Sequence, residues 1–482
     1  MAASSNSPFE LPRLRVSFGF ENDTRFLEVD DVVAGKILSL CPDKKDDRFM
    51  RNEATTSNGY ILSAEFFDVK FCPFQPLDCD PVFAAISKKH IIICKLAQNS
   101  GDANPLEVIN IIRDDDDEAS SCCCTWSRHP ITGIPCICVG GVDAKVKIYD
   151  SSDGSLVEAF HDTGRYLLSS GHDQVINLWT IPDLPTTPIT APIQVHYPHF
   201  STSAVHSGIV DCVAFFGDQV LSRACHDGVI AFWRIEGFSS DASYPLPSDA
   251  PTPQSVVPIN NEDTTRLTRS AFVPVTSPSC PAQYTRLLEF HTPNCGPQFF
   301  MRFKVHHVPG QNAVLAFCNA AGNVLFWDFE RLTEYRHLMR KLQDPRRDKT
   351  EVVQLPTWLK PVFPRQKIDG KKGMSRTPGR DKGRLPSGQE SGPESGQEPV
   401  HGGGDFNQET MESWSARYSV ENPQEPLRAH RTESSSANFV GRQVAWSPGG
   451  DWCVVVGSSN TTLILQRWAK KAPGPAQVNA MA

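Results

Sequence analysis

The strongest constraint on the fold is a strand pair that recurs along the chain, joined each time by a tight polar turn. Leu167 to Ile181 (LLSSGHDQVINLWTI), Val220 to Ile235 (VLSRACHDGVIAFWRI) and Val314 to Phe329 (VLAFCNAAGNVLFWDF) share one layout. Each is an apolar run, then small residues, a turn, alternating apolar residues and a Trp. Fainter copies run from Val82 to Leu96, Cys136 to Asp150 and Cys453 to Trp468. A unit of this size cannot bury its faces alone, so repeated copies stack, and strand units ending at a Trp-Asp-like position stack into a β-propeller. The expected class is all-β, a WD-repeat propeller with about six recognisable blades. Propellers mostly present binding surfaces, so the question becomes what this one holds.

A ring of blades takes roughly 300 residues, and this chain has 482, which leaves the rest for tails and insertions. The net charge of −8 argues against an overall nucleic-acid binder. No run of apolar residues reaches the roughly 18 needed for a membrane span, and Met1 to Asp23 lacks an apolar signal core. The 15 cysteines show no paired CxxC spacing, and most fall inside apolar strands, where a free thiol behaves as a small buried hydrophobe. Neither a metal nor another cofactor is expected, and the compartment reads as reducing and intracellular.

The expected organisation begins with an N-terminal extension over 1–60, in which Leu14 to Phe20 and Phe26 to Leu40 are candidate ring-closing strands. Propeller blades follow over 61–238, then a Ser/Pro-rich insertion over 239–285 and a further blade over 286–335. A helix and a disordered insertion rich in Gly, Ser, Gln and Glu occupy 336–437, because such a composition cannot offset its ordering entropy. The helix is read from Leu332, Tyr335, Leu338, Met339 and Leu342 at helical spacing, with Pro345 stopping it. The last blade spans 438–470, and 471–482 is a loose tail. The acidic run Asp114 to Glu118 reads as a solvated loop. A basic block from Arg365 to Arg384 reads either as a soluble loop or as a nuclear-import or nucleic-acid segment.

Blade spacing carries one anomaly. A blade of this type needs roughly 40 to 45 residues, and Tyr149 to Trp179 falls well short of that, with at best a stub of an inner strand. Either this blade is truncated or the chain lacks a segment that relatives have. Omission of an exon from the sequence would produce the same pattern.

Catalytic patterns are not visible. The GHD at Gly171 to Asp173 and the CHD at Cys225 to Asp227 occupy the same turn of successive repeats, where an Asp is expected to bond turn backbone. No Gly-rich phosphate loop, HExxH or nucleophile elbow is present, so the chain reads as a non-enzyme. A binding site has a positional argument. The first strand of each blade lines the channel, and stepping back four from its bulky inward residue marks one end of the ring. Phe71 gives Phe67, Trp126 gives Cys122, Phe303 gives Phe299 and Trp446 gives Arg442. Phe66-Phe67 and Phe299-Phe300 thus fall at one height, where rings can hold a quaternary ammonium by cation–π attraction of roughly 0.5–2 kcal/mol per ring. Packing of these rings between blades is the competing reading.

At these residues the chain resembles the Polycomb-group extra sex combs / embryonic ectoderm development family of WD-repeat proteins. The resemblance rests on DPVFAAISKKHIIICKL, VDCVAFFGDQVLSRACHDGVIAFW, FFMRFKVHHVPGQNAVLAFCNAAGNVLFWDFERL and VGRQVAWSPGGDW. It covers most of Phe66 to Trp468 outside the two insertions, which look like a fungal-style elaboration. It implies a seven-bladed propeller and a nuclear, non-catalytic subunit of a Polycomb repressive complex 2-like histone methyltransferase. The implied partners are the catalytic subunit, whose helical segment docks on the opposite face, other Polycomb subunits and a methylated histone tail. The implied cage for trimethyl-lysine uses Phe67, Phe299 and Phe300, with Arg442 beside the bound tail. Two departures stand out: Cys122 occupies the place of a family Tyr, and Phe299-Phe300 that of a Trp-Tyr pair. A structural scaffold with a disabled cage, and an unrelated adaptor such as a ubiquitin-ligase substrate receptor, are the alternatives.

Overall fold

The computed structural model describes residues 11–19 and 65–467, apart from 78, 89, 98–103, 114–120, 129–134, 142–145, 151–164, 182–194, 253–267, 274–282, 348–352, 363–405, 436–438 and 459–460. Six antiparallel sheets make up the ring. The first holds β2 (Asp68–Phe71), β3 (Val82–Ile86), β4 (His90–Leu96) and β5 (Leu106–Arg113). The second holds β6 (Ser121–Arg128), β7 (Pro135–Gly141) and β8 (Val146–Asp150). The third runs in the order β9 (Tyr166–Ser170), β10 (Ile176–Thr180), β11 (Phe200–Thr202) and β15 (Thr268–Ser270). The fourth is β12 (Val210–Phe216), β13 (Gln219–Ala224), β14 (Val229–Ile235) and β16 (Tyr284–His291). The fifth is β17 (Lys304–His306), β18 (Val314–Cys318), β19 (Asn323–Asp328) and β20 (Arg431–Ser434). The last is β21 (Gly441–Trp446), β22 (Trp452–Gly457), β23 (Thr461–Gln466) and, from the other end of the chain, β1 (Arg13–Gly19).

The pairing of β1 with β23 closes the last sheet, as expected of Leu14 to Phe20. The second candidate strand, Phe26 to Leu40, lies outside the described residues, as do the acidic run and the basic block. Middle strands are apolar without alternation because both faces are covered: every residue of β18 (VLAFC) and of β22 (WCVVVG) is buried. Five inter-blade seams each have their own core among the described residues. One cluster joins the first and last sheets through Phe83, Ile92, Val454 and Ile464. Another joins the fifth and last through Phe326, Phe439 and Val455. Leu221, Phe317 and Trp327 join the fourth and fifth, Leu178 and Trp233 the third and fourth, and Ile93, Trp126 and Ile137 the first and second. Among the described residues no such cluster joins the second sheet to the third.

That seam is where the spacing anomaly falls. The second sheet has three described strands, and β9 stands at the inner edge of the third. By its repeat motif β9 corresponds to β13, a second strand, so the short span expected to hold a stub of inner strand puts the second strand of the repeat at the edge. The innermost strand of that blade is absent among the described residues.

Other expectations need correction. The 239–285 insertion is not wholly outside the propeller: Thr268–Ser270 adds the outermost strand to the third sheet, and β16 starts at Tyr284 and completes the fourth sheet rather than opening a new blade. The expected helix is α1 (Phe329–Gln343), which starts directly after β19 and so before the 336–437 range assigned to it, capped by the Asp328 carboxylate on Glu330 N–H. The same range also contains helix α2 (Gln408–Tyr418), capped by Asn407, and strand β20. β20 pairs with β19 as the outer strand of the fifth sheet, and α2 packs on α1 and on the entry to β20, Tyr418 lying 4.6 Å from His430 and 5.7 Å from Tyr335. The two repeated turns also differ. Asp173 accepts from Val175 N at 3.2 Å, as expected of a turn Asp. Asp227 instead accepts from Ser207 Oγ at 2.8 Å and contacts His206 Nδ1 at 2.6 Å. His206 Nε2 meets Ser222 Oγ at 2.7 Å, and Trp233 Nε1 donates to the same hydroxyl at 2.9 Å. This relay ties the turn, β13 and β14 together.

Candidate functional site

Three of the inner strands, β6, β12 and β21, share one irregularity. The ladder between β6 and β7 skips at Cys122, that between β12 and β13 at Asp211, and that between β21 and β22 at Arg442. A bulge leaves the extra residue out of register and re-aims its side chain, which is why barrels and propellers use it at their rims. Cys122 and Arg442 are positions found by stepping back four. Asp211 is the same step from Phe215 and was not singled out from the sequence.

Phe299 and Phe300 lie on the approach to β17 and are 42% and 41% exposed, with ring centroids 4.9 Å apart at 59°. They are not packed between blades. Phe300 holds φ at 58°, a left-handed backbone that a bulky residue adopts only when its surroundings impose it. His172, at the tip of the β9–β10 turn, sits 6.3 Å from Phe299 edge-on. Phe67 is half-buried at the start of β2, its N–H on Ile86 O at 2.8 Å, while Phe66 beside it is fully buried and anchors to Gly457 O at 3.1 Å.

Hydrogen bonds draw these segments into one rim. Arg442 donates from Nε to Glu65 at 2.5 Å and from Nη1 to Phe299 O at 2.8 Å. Its carbonyl accepts from Arg302 N at 2.8 Å, and Arg302 Nη1 reaches Cys122 O at 3.5 Å. Arg302 also lies 5.9 Å from the Phe300 ring. Asp68 joins β2 to β6 by accepting from Cys124 N at 2.8 Å. The expected positions Phe67, Cys122, Phe299, Phe300 and Arg442 are therefore all on the same rim. No ring contact links Phe67 to the Phe299–Phe300 pair among those described, so the three rings present separate faces. Cys122 supplies no ring. Its thiol is half-buried, points at Gly140 O at 3.6 Å, and is raised by burial, with Cys123 adding to the rise and Arg302 opposing it. It is neither a ready nucleophile nor, among the described residues, part of a metal cluster.

Sequence reasoning missed the groups that hold this rim: Glu65, Arg302, the turn at His172, and Asp211 with Arg223, whose Nη1 donates to Asp211 at 2.7 Å and to Met301 O at 3.3 Å. Arg302 was legible as the Arg inside FFMRF. The others depend on pairings between segments far apart in sequence.

Comparison with known proteins bears on the fold and the family. Residues 154–180 match the WD domain, G-beta repeat family. The chain is 37% identical to the Polycomb protein EED of Chaetomium thermophilum, covering 98% of each. That alignment spans 596 positions, more than the 482 residues here, so the relative carries stretches this chain does not. The Polycomb protein esc of Drosophila melanogaster is 28% identical over 132 residues, 24% of this chain and 29% of esc. Among solved structures, the C. thermophilum complex ctPRC2 with H3K27me3 contains a chain 37% identical, with a TM-score of 0.74, covering 97% of this chain and 100% of that one. The corresponding chain of apo ctPRC2 in an autoinhibited state is 36% identical with a TM-score of 0.72, covering 96% and 99%. With identity of this level across nearly its whole length, this chain belongs to the Polycomb EED family of WD-repeat proteins.

Proposed function

We propose that this chain is the non-catalytic WD-repeat subunit of a Polycomb repressive complex 2-like histone methyltransferase. It reads a trimethyl-lysine on a histone tail and passes that signal to the catalytic subunit at chromatin in the nucleus. The single observation carrying the reader role is the exposed Phe299–Phe300 pair at the channel rim, with half-buried Phe67 just before the inner strand of the first blade, beyond the last blade. Exposed adjacent rings are costly in a soluble protein unless they bind something. A quaternary ammonium suits them because it needs contact with ring faces and no hydrogen-bond acceptor.

The likeness to a chain of the ctPRC2 complex solved with H3K27me3 supports the same class of ligand. Loss of a ring at Cys122 and Phe in place of richer rings weaken the cage without abolishing it, by about 1 kcal/mol or more for each face lost. Coupling to the enzyme requires that tail binding favour one state of the complex, typically by about 1–3 kcal/mol. The test is calorimetric titration of the purified chain with a trimethyl-lysine histone-tail peptide and its unmodified twin. A preference for the methylated peptide that Phe299→Ala abolishes is expected. Equal binding of both peptides by folded protein would leave only the scaffold role.

A further inference from the structure

Arg223 occupies a place the fold itself does not require to be charged. It lies on β13 opposite Cys212, the residue that follows the Asp211 bulge. The same register in the second and last sheets, opposite Cys123 and Gln443, is filled by Gly140 and Val456. The side chain of Arg223 is 1% exposed, so here a guanidinium is buried where the other blades place small or apolar groups. A charge in that position costs heavily unless it is paired and hydrogen-bonded.

Its bonds lead to one short segment, directly or through Asp211. Nη1 donates to Asp211 Oδ2 at 2.7 Å and to Met301 O at 3.3 Å, and Nη2 to Gln298 O at 3.4 Å. Asp211 Oδ2 in turn accepts from Met301 N at 3.3 Å. The guanidinium also lies 5.2 Å from the Phe317 ring of the next blade. Together with Arg442 on Phe299 O, these bonds fasten the backbone of residues 298, 299 and 301, on both sides of the left-handed Phe300. That turn is unfavourable for a Phe by itself and persists because its neighbours are held.

We propose that Arg223, neutralised by Asp211, is the positioning residue that locks the Phe299–Phe300 turn with its two rings outward. It touches no ligand. It acts by pre-organising the rings, so that binding does not have to order them. The proposal rests on the methyl-lysine reading given above for the role of those rings, whereas the clamp on the turn stands without it.

The test uses the double variant Asp211→Asn with Arg223→Val, which removes both charges together and matches the Val found in the last sheet. Hydrogen–deuterium exchange of the free, full-length protein is measured alongside titration with trimethylated and unmodified tail peptides. Exchange across residues 298–303 should accelerate by about tenfold or more with little change elsewhere. Affinity for the trimethylated peptide should fall by about tenfold, and weak binding of the unmodified peptide should not change. Unchanged exchange in that segment overturns the proposal, and so does acceleration spread across every blade, which would make the pair an ordinary core element. If the wild-type chain shows no preference for the methylated peptide, the reader function fails. The exchange result then decides the clamp alone, in the same two directions.

Discussion

The guanidinium of Arg442 joins Glu65 Oε1, 2.5 Å from its Nε, to the carbonyl oxygen of Phe299, 2.8 Å from its Nη1. The residue expected to lie beside a bound tail is thus already engaged as a strut between the approach to β2 and the aromatic turn. Arg442→Ala should lower affinity for a trimethylated tail peptide by about tenfold through loss of ring placement. The pair is partly exposed, so the stability change should stay within about 1 kcal/mol. Titration and denaturant unfolding of the variant measure the two effects separately. A large stability loss with unchanged affinity would show a strut that supports the blades and not the site.

Cys122 sits out of register on the β6 bulge and half-buried at the rim, at a position where the family resemblance implies a Tyr. Cys122→Tyr should tighten trimethyl-lysine binding by roughly 0.5–2 kcal/mol, the value of one more cation–π face. The unmodified peptide should gain little. Peptide titration of this variant reports the answer directly, and equal gains for both peptides would mean the new ring contacts the tail backbone rather than the ammonium.

Much of this site was readable because the repeat is regular. Stepping back four from Trp126 and Trp446 lands on the bulged residues Cys122 and Arg442, since a bulge at a blade rim recurs in the same register. The N-terminal strand was legible from its apolar content and α1 from apolar residues at helical spacing, independently of the repeat. The third sheet's outer strand was not. Thr268–Ser270 is three residues long and too short to show alternation, and its pairing with Phe200–Thr202 is set by tertiary contact. α2 was hidden by the polar composition around it, although Trp414 and Tyr418, both buried, carry its attachment. Arg223 was visible within VLSRAC, but its role depends on Gln298 and Met301, which no local pattern connects to it.

Asp227 makes stability depend on acid in a defined direction. Burial acts to raise its carboxyl, but hydrogen bonds from His206 and Ser207 outweigh this and leave it below the ordinary carboxylate value. The unfolded chain therefore binds the proton more readily. The stabilisation is complete above about pH 4 and is lost as pH falls below that towards the folded-state value. Asp227→Asn should cost about 1.5–3 kcal/mol at neutral pH, as expected for a hydrogen bond to a charged group, and should flatten the acid limb. Urea unfolding of both proteins from pH 3 to 7 makes the comparison.

Gln174 holds φ at 64° in the turn where the next repeat has Gly228 at 66°. An L-residue with a side chain pays roughly 1 kcal/mol for that backbone, and a glycine does not. Gln174→Gly should therefore stabilise the chain by about 0.5 kcal/mol, after the extra freedom of glycine in the unfolded state is subtracted. A shift of the urea midpoint with an unchanged slope is the expected signature.

The seam between the second and third sheets is the remaining structural liability. Five clusters join neighbouring sheets around the ring, yet none among the described residues joins these two, and β9 faces the seam with Leu167 47% exposed. An edge of this kind offers unpaired backbone groups to other chains. Inserting a complete blade from the C. thermophilum relative between Asp150 and Arg165 should cover both facing edges. The melting temperature should rise by about 3 °C, corresponding to a gain of roughly 2 kcal/mol for a ring of roughly 300 residues. Light scattering at that temperature should fall in parallel. An unchanged melting temperature would mean that six sheets already hold the ring together without a seventh.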